Sequence, residues 1–589
     1  MKKLFYSALF AAALTGCSNE TEVVEPVVDP QPEVLPGGEG YVGFSIQLPT
    51  TPGTRANDVF DDGTPQPDEY RVYNATLFIF KGDNEADATF ESAYKMNVTT
   101  FDKVSGNNQC TTEGIVSSKV TKPTLTGSQK LFAYVIINDN GLTDIDNNKL
   151  GGTPYTTTTT FPTFSKIVLD NIGNKTNGFV MTNAPVANFA GGATDPGESV
   201  TTTTLSYLDK NKIFTTESAA QAAPAAEIYM ERAAAKVTVK LSSSMSGTLS
   251  GASGVTYDKA SIMWTLSNVN STYYNTRQMN NSWLRYYADG SDGALISASK
   301  YRFISSAAIH DQVYRTYWGE DVNYTGNTGL ISAPGTLDKK AEDGKSVYTF
   351  ENTFNVKNQI VKNSTGIAVS ATFNGGHDFY TANTYGANNI LQVPGAGTGE
   401  KIEEYIMKYL CNNNTEFKTW YDADGTNRIN VTMTNNDADG TAVVNTITTT
   451  STNPLPSSAT PANVNSLIKF QYYKNGVAYY NVLIKHFGDA ETPWTRTNHS
   501  DNSVEGVYER LNGADISAKS EQLYLGRYGV VRNNWYKIEL SAIRQIGSPT
   551  PINPGTGTGG DNPDDNVDNY LSVKIHITPW AVRNQSVEL

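Results

Sequence analysis

The feature that most constrains this chain is a strict two-residue alternation at both ends of its foldable part. From Tyr41 to Leu48, the apolar Val42, Phe44, Ile46 and Leu48 fall on one face, and Gly43, Ser45 and Gln47 on the other. From Leu571 to Thr578, the apolar Leu571, Val573, Ile575 and Ile577 alternate with Ser572, Lys574, His576 and Thr578. Successive side chains of a strand point to opposite sides of the sheet, so a period of two predicts a strand with one buried face. Turn-rich sequence, PTTPGTRAND, follows the first segment, and residues 547–569 precede the second. That stretch has Ile552 and Val567 as its large apolar residues, too few to bury a core, and is expected to be a flexible linker.

Between these ends the chain punctuates itself as a β protein. Thr, Asn, Ser and Gly fill much of a sequence with only 18 % charged residues, and this mixture suits strands and tight turns. Strands are expected at Val72 to Phe80, Lys130 to Ile137, Ala233 to Leu241, Ser261 to Leu266, Gly366 to Phe373, Leu467 to Tyr473, Val477 to Lys485 and Trp535 to Leu540. The Asn475-Gly476 pair between two alternating runs predicts a β-hairpin. Ile402, Ile406 and Tyr409 recur at helical spacing, so Glu400 to Cys411 is expected to be a helix inserted on a sandwich. Residues 184–225 are poor in large apolar groups and are where the first domain boundary is expected. Many short strands with turn signals favour sandwiches over barrels, and 589 residues allow two or three domains.

The N-terminus reads as an export signal. Lys2 and Lys3 precede a short apolar run, Leu4 to Leu14, too short to span a bilayer. Leu14-Thr15-Gly16-Cys17 has the form of a lipobox, in which Cys17 becomes the lipidated first residue, and acyl chains anchor at about 0.8 kcal/mol per buried CH₂. Pro26, Pro30, Pro32 and Pro36 mark the following residues as a linker. With three cysteines, a disulfide framework is excluded, and Cys110 and Cys411 are expected to be unpaired.

The two matching strands admit a mechanism. Arg55-Ala56 lies in the turn-rich loop after the first strand, where nicking is favoured. Cutting there would release that strand and leave unpaired backbone beside an apolar groove, a costly state. The C-terminal strand of another copy could fill it, as in donor-strand complementation, and head-to-tail donation does not close on itself. The plainer alternative is that both segments are ordinary edge strands of their own domains.

At these residues the chain resembles the Bacteroidales fimbrilins, or type V pilins, of the minor-fimbrium (Mfa-type) subclass. The segments that carry the resemblance are the lipobox, Gly43 to Asp58, Met230 to Lys240, Val530 to Gly547, the Pro/Gly/Asp-rich linker, and the ending with Thr578-Pro579-Trp580. Residues 60–225 and 245–460 match poorly, so no partner-binding surface is carried over. The resemblance implies an all-β protein of two tandem transthyretin-like β-sandwich domains with minor helical insertions. It implies a lipoprotein signal at 1–17, a removable segment at 18–55, sandwiches at 56–228 and 229–546, a linker at 547–569 and a donor segment at 570–589. Cys17 would be lipidated, an Arg-specific protease would cut at Arg55-Ala56, and Leu571, Val573, Ile575, Ile577 and Trp580 would belong to the donor strand. The partners implied are further copies of the chain, anchor and tip fimbrial subunits, the protease and, for the precursor, outer-membrane lipid. A shaft subunit of a surface fimbrium that supports adhesion follows as the expected function. A tip or accessory subunit, or a monomeric surface lipoprotein binding glycan or host protein, are the rivals.

Other classes are disfavoured by the residues. A net charge of −14 without a basic stripe argues against nucleic acid. The five histidines form no paired metal motif, and no G-x-S-x-G or phosphate-binding glycine loop occurs. Asn435 to Gly440 has the start of a calcium loop, but the twelfth position is Thr446 and not Glu, so Asx-rich turns are expected there. His377-Asp378 reads as a loop hydrogen-bonding pair. Neither catalytic residues, nor metal, nor cofactor are expected.

Overall fold

A computed structural model describes residues 34–47, 69, 71–98, 102–103, 112–189, 200–250, 254–280, 303–310, 313–325, 330–331, 337–343, 345–355, 358, 360–383, 389–394, 399–486, 526, 528–552, 571–578 and 583–586. Cys17, Leu48, Arg55, Ala56, Cys110 and Trp580 lie outside the described residues. The protein is predominantly strand, with few helices. Among the described residues no helix is long and apolar enough to cross a membrane.

The first sandwich is built from β1 (Glu39–Gln47), β2 (Ala75–Gly82), β3 (Thr89–Lys95), β4 (Thr112–Thr121), β5 (Lys130–Ile137), β6 (Met181–Asn183) and β7 (Ala226–Arg232). Their lateral order is β3-β2-β5-β6-β7-β1-β4. One core gathers Val42, Phe44 and Ile46 of β1 with Leu77 and Ile79 of β2, Val116 and Val120 of β4, Val135 and Ile137 of β5, and Ile228 and Met230 of β7. Strands β2 and β5 read as continuous apolar runs because both of their faces are covered. The second face carries Phe78, Phe80 and Tyr134, which pack edge-on or tilted against Phe90, Tyr155, Phe161 and Phe164 at ring separations from 5.1 to 6.5 Å. Residues 184–225 hold strands of this sandwich, since Ser206–Leu208 pairs with β5 and Ile213–Phe214 with β1.

The chain passes to the second sandwich at Ala233 and Ala234, both fully buried. There it forms β8 (Ala235–Leu241), β9 (Tyr257–Ser267), β10 (Ser346–Thr349) and β11 (Gly366–Phe373). An insertion then interrupts the sandwich. It contains β12 (Phe379–Ala382), β13 (Ile429–Asn436), β14 (Thr441–Thr449) and β15 (Phe470–Tyr473) in one sheet. A helix over Ile402–Asn413, as the spacing predicts, buries Ile402, Tyr405, Ile406 and Leu410 in a separate core with Phe417, Trp420, Val431, Val444 and Phe470. Cys411 on that helix is a free, half-buried thiol. The chain returns through β16 (Val477–Leu483) and β17 (Trp535–Ile543) and ends in β18 (Leu571–Thr578) and a short strand over Arg583–Ser586.

The hairpin expected at Asn475-Gly476 is not formed. Both residues have positive φ (52° and 67°), as an Asn-Gly turn requires, but β15 pairs with β12 and β14 while β16 pairs with β11. The turn is a corner between two sheets. The side-chain carboxylate of Asp378 fixes it by accepting from the Asn475 amide at 2.7 Å. Local turn chemistry is the same for a hairpin and a corner, and only the pairing of distant strands separates them.

Candidate functional site

The apolar face of β1 decides where this strand sits. Val42, Phe44 and Ile46 are each 0 % exposed. Burying three side chains of this size contributes on the order of 6 kcal/mol. The strand is internal to its sheet. It runs antiparallel to β4 over its whole length (Glu39↔Thr121 to Gln47↔Glu113) and parallel to β7 from Phe44↔Ala226 to Gln47↔Tyr229. Removing it would leave the facing backbone edges of β4 and β7 unpaired and open the core between them.

The outer face of β1 is covered as well. A short helix, α1 (Glu217–Ala222), lies across it. A Cβ added at Gly43 would come within 2.0 Å of the Ala220 carbonyl oxygen, so only glycine allows this approach. Gly43 pairs with Ser117 of β4, and the helix is tied to that neighbour. The Glu217 carboxylate accepts from Ser117 Oγ at 2.5 Å and from Asn97 Nδ2 at 2.9 Å, while Gln221 Nε2 donates to Ser117 Oγ at 3.2 Å. The Ser117 hydrogen bond, with that of Asn97 added, holds the Glu217 carboxyl below the usual carboxylate range. The Ala225 amide donates to the Gly43 carbonyl at 2.8 Å. The alternation of β1 was readable without the fold. The helix over it was not, although an isolated glycine inside a strand is itself a sign of close backbone approach.

The C-terminal strand is seated in its own chain. β18 runs antiparallel to β17 from Trp535↔Thr578 to Ile543↔Leu571, with one register shift between Leu540 and Ala542, and places Ile575 opposite Ile538. The two sandwiches share a closing device. The first strand of each lies parallel to a late strand of the same sandwich, β1 to β7 and β8 to β17. β18 extends the second sheet beyond β17, on the side away from β8.

The other sequence candidates have local structural roles. The carboxylate of Asp378 accepts from Tyr472 Oη at 2.5 Å beside its contact with the Asn475 turn. Asn435 to Gly440 joins β13 to β14 through Asx turns, in which Asn436 Oδ1 accepts from the Ala438 amide and Asp439 Oδ1 from the Thr441 amide. Among the described residues, no three His, Cys, Asp or Glu side chains gather closely enough to hold a metal ion.

Residues 507–586 match the family model described as major fimbrial subunit protein type IV, fimbrillin, C-terminal. Among curated proteins none matches the chain. Solved structures that are similar include a candidate cell adhesion protein from Parabacteroides distasonis, 11 % identical, with 94 % of this chain and 99 % of that one covered and a TM-score of 0.37. A fimbrilin from Porphyromonas gingivalis is 11 % identical over 92 % of this chain and 99 % of that one, with a TM-score of 0.32. A fimbrial assembly protein from Parabacteroides distasonis is 13 % identical over 56 % and 82 %, with a TM-score of 0.25.

Proposed function

We propose that this chain, which carries the fimbrillin C-terminal signature over residues 507–586, is a structural subunit of a surface fimbrium that polymerises by exchanging strands. The precursor is exported as a lipoprotein through Cys17 and held at the outer membrane. A protease that cuts after arginine severs Arg55-Ala56 and frees the segment that contains β1. The C-terminal strand of another copy, with Leu571, Val573, Ile575 and Ile577 on one face, fills the vacated seat. Repetition builds a shaft, and adhesion is the role of the assembled fimbrium together with anchor and tip subunits.

One observation carries this reading: the apolar face of β1, Val42, Phe44 and Ile46, is fully buried, and the strand is internal to its sheet, between β4 and β7. A strand at a sheet margin could be lost at little cost, but loss of this one creates a groove that demands a replacement of the same alternation. The chain supplies one such strand at its other end. The pairing is heterologous, so each filled seat leaves a free donor at one end of the assembly and a free seat at the other.

The test is limited trypsin digestion of the chain beginning at Ser18, followed by N-terminal sequencing, denaturing gels and electron microscopy. The expected result is a new N-terminus at Ala56, followed by detergent-resistant ladders or fibres. A protected Arg55, or a cut product that stays monomeric, would overturn the proposal.

A further inference from the structure

Resting on the strand-exchange reading above, the outer face of the seat sets a condition on what can replace β1. Gly43 leaves no room for a side chain, because the backbone of α1 is where its Cβ would be: 2.0 Å from Ala220 O and 2.6 Å from Ala220 C. Real Cβ atoms do not approach a backbone carbonyl so closely, and a helix backbone cannot yield as the end of a flexible side chain can. Ala220 is itself fully buried against the strand. Residues 571–578, LSVKIHIT, contain no glycine, and neither does the rest of the chain to Leu589. When the apolar residues of this segment face the core, the outward positions are Ser572, Lys574, His576 and Thr578. In either strand direction and in any register that keeps the apolar face inward, one of these four stands where Gly43 was.

We propose that α1 is a latch: it closes over β1 because residue 43 is glycine, and it is displaced from the sheet when a C-terminal strand takes the seat. Its tethers suit this role. Glu217 and Gln221 hold it through Ser117 and Asn97, which are polar side-chain contacts that break without opening the core. Thr216 caps the helix, accepting from the Ala219 amide, so its cap does not depend on the sheet, but a helix of six residues frays once it is lifted. The latch distinguishes the two occupants by one Cβ. It adds to the retention of β1 in the precursor, and it leaves the segment around Ala220 exposed in the assembled subunit, as a surface that the precursor lacks.

The test locks the latch. In the chain beginning at Ser18, with Cys110→Ser and Cys411→Ser, the substitutions Ser117→Cys and Gln221→Cys place thiols across the existing side-chain contact. After trypsin has cut at Arg55, the oxidised protein is expected to stay monomeric, and reduction is expected to restore ladders. A Lys574→Gly or Ser572→Gly donor that assembles with the latch still oxidised would add the register. Ladders formed equally well by the oxidised, glycine-free protein would overturn the latch while strand exchange stood. Failure of the reduced protein and of the wild type to assemble after cutting would instead overturn strand exchange itself. Hydrogen exchange of the wild type provides a measurement without cysteines. The Ala220 and Ala223 amides and their neighbours are expected to lose protection on passing from uncut monomer to fibre, and unchanged protection there would sink the proposal.

Discussion

Lys236 and Glu69 are both fully buried, with ammonium and carboxylate 2.9 Å apart, and Tyr348 Oη donates to the same carboxylate oxygen at 2.5 Å. Glu69 lies between β1 and β2 of the first sandwich, Lys236 begins the second, and the Glu69 carbonyl accepts from Arg232 Nε at 3.1 Å, so this pair lies at the joint of the two units. The joint has further buried pairs, Arg277 with Glu231 at 2.5 Å and Arg532 with Glu351. Removing one partner of such a pair leaves an unpaired buried charge and costs about 3–5 kcal/mol. Lys236→Ala is therefore expected to lower the urea midpoint sharply, and the double variant Lys236→Met with Glu69→Gln to lower it less than either single change. A double variant as unstable as the sum of its parts would show that the pair is not coupled. Asp321 titrates differently. Burial pushes its carboxyl up to about 8, with Glu351 adding to the effect and the Thr353 and Asn323 amides opposing it. Its unfolded value is about 3.9, so between those values the folded state holds the extra proton. Its contribution to stability is thus complete below about pH 4 and falls as pH rises towards 8. The unfolding midpoint of the wild type relative to Asp321→Asn is expected to decline between pH 5 and pH 8. A constant difference across that range would refute the assignment.

Among the elements, those set by local spacing alone were legible. Lys130–Ile137 and Gly366–Phe373 occupy the residues their apolar runs predict, and the inserted helix is shifted by two residues from its periodic run. Val72 to Phe80 starts later than expected, at Ala75, because Arg71 to Asn74 bond to Asn138 at the end of β5 and not to a neighbouring strand, the Tyr73 amide donating to Asn138 Oδ1 at 2.7 Å. The Asn475-Gly476 pair does form a turn, but it turns a corner and does not close a hairpin, since the strands on its two sides lie in different sheets. The same geometry yields a prediction. β11 and β16 are antiparallel neighbours, with Thr372 opposite Val477, and the whole insertion leaves and returns at that point. Replacing residues 374–476 by Asn-Gly would close the two strands directly. The second sandwich is expected to keep a cooperative unfolding transition, at some loss of stability because Phe379 and Tyr473 pack into its core. Loss of the transition would mean that the insertion is needed for folding. At α1, Glu217→Ala is expected to raise the exchange rate of the Ala220 and Ala223 amides without changing that of β2 or β5. An unchanged rate would mean that the Ser117 and Asn97 contacts do not hold the helix.

For the molecule as a whole, deletion of residues 570–589 tests the division between folding and assembly. β18 pairs with β17 on the side away from β8, while β17 keeps its parallel partner β8, so the truncated chain is expected to fold and to fail to form ladders after cutting at Arg55. Normal fibres from it would remove the donor strand from the mechanism. The sequence by itself determined the strand-rich class, the two alternating terminal strands, the inserted helix and the fimbrillin resemblance, because period, turn residues and short motifs are local properties of a chain. Only the tertiary structure decided that β1 is internal to its sheet, with β4 and β7 beside it and α1 above. It alone also decided that Ser206–Leu208 and Ile213–Phe214 pair into the first sandwich while Val186–Phe189 and Val200–Thr203 join a sheet with Val313–Thr316, and that buried ion pairs join the two units. Those facts depend on which distant segments meet, and a pairing between Phe44 and Ala226, or a contact between Gly43 and Ala220, leaves no periodic trace in either segment alone.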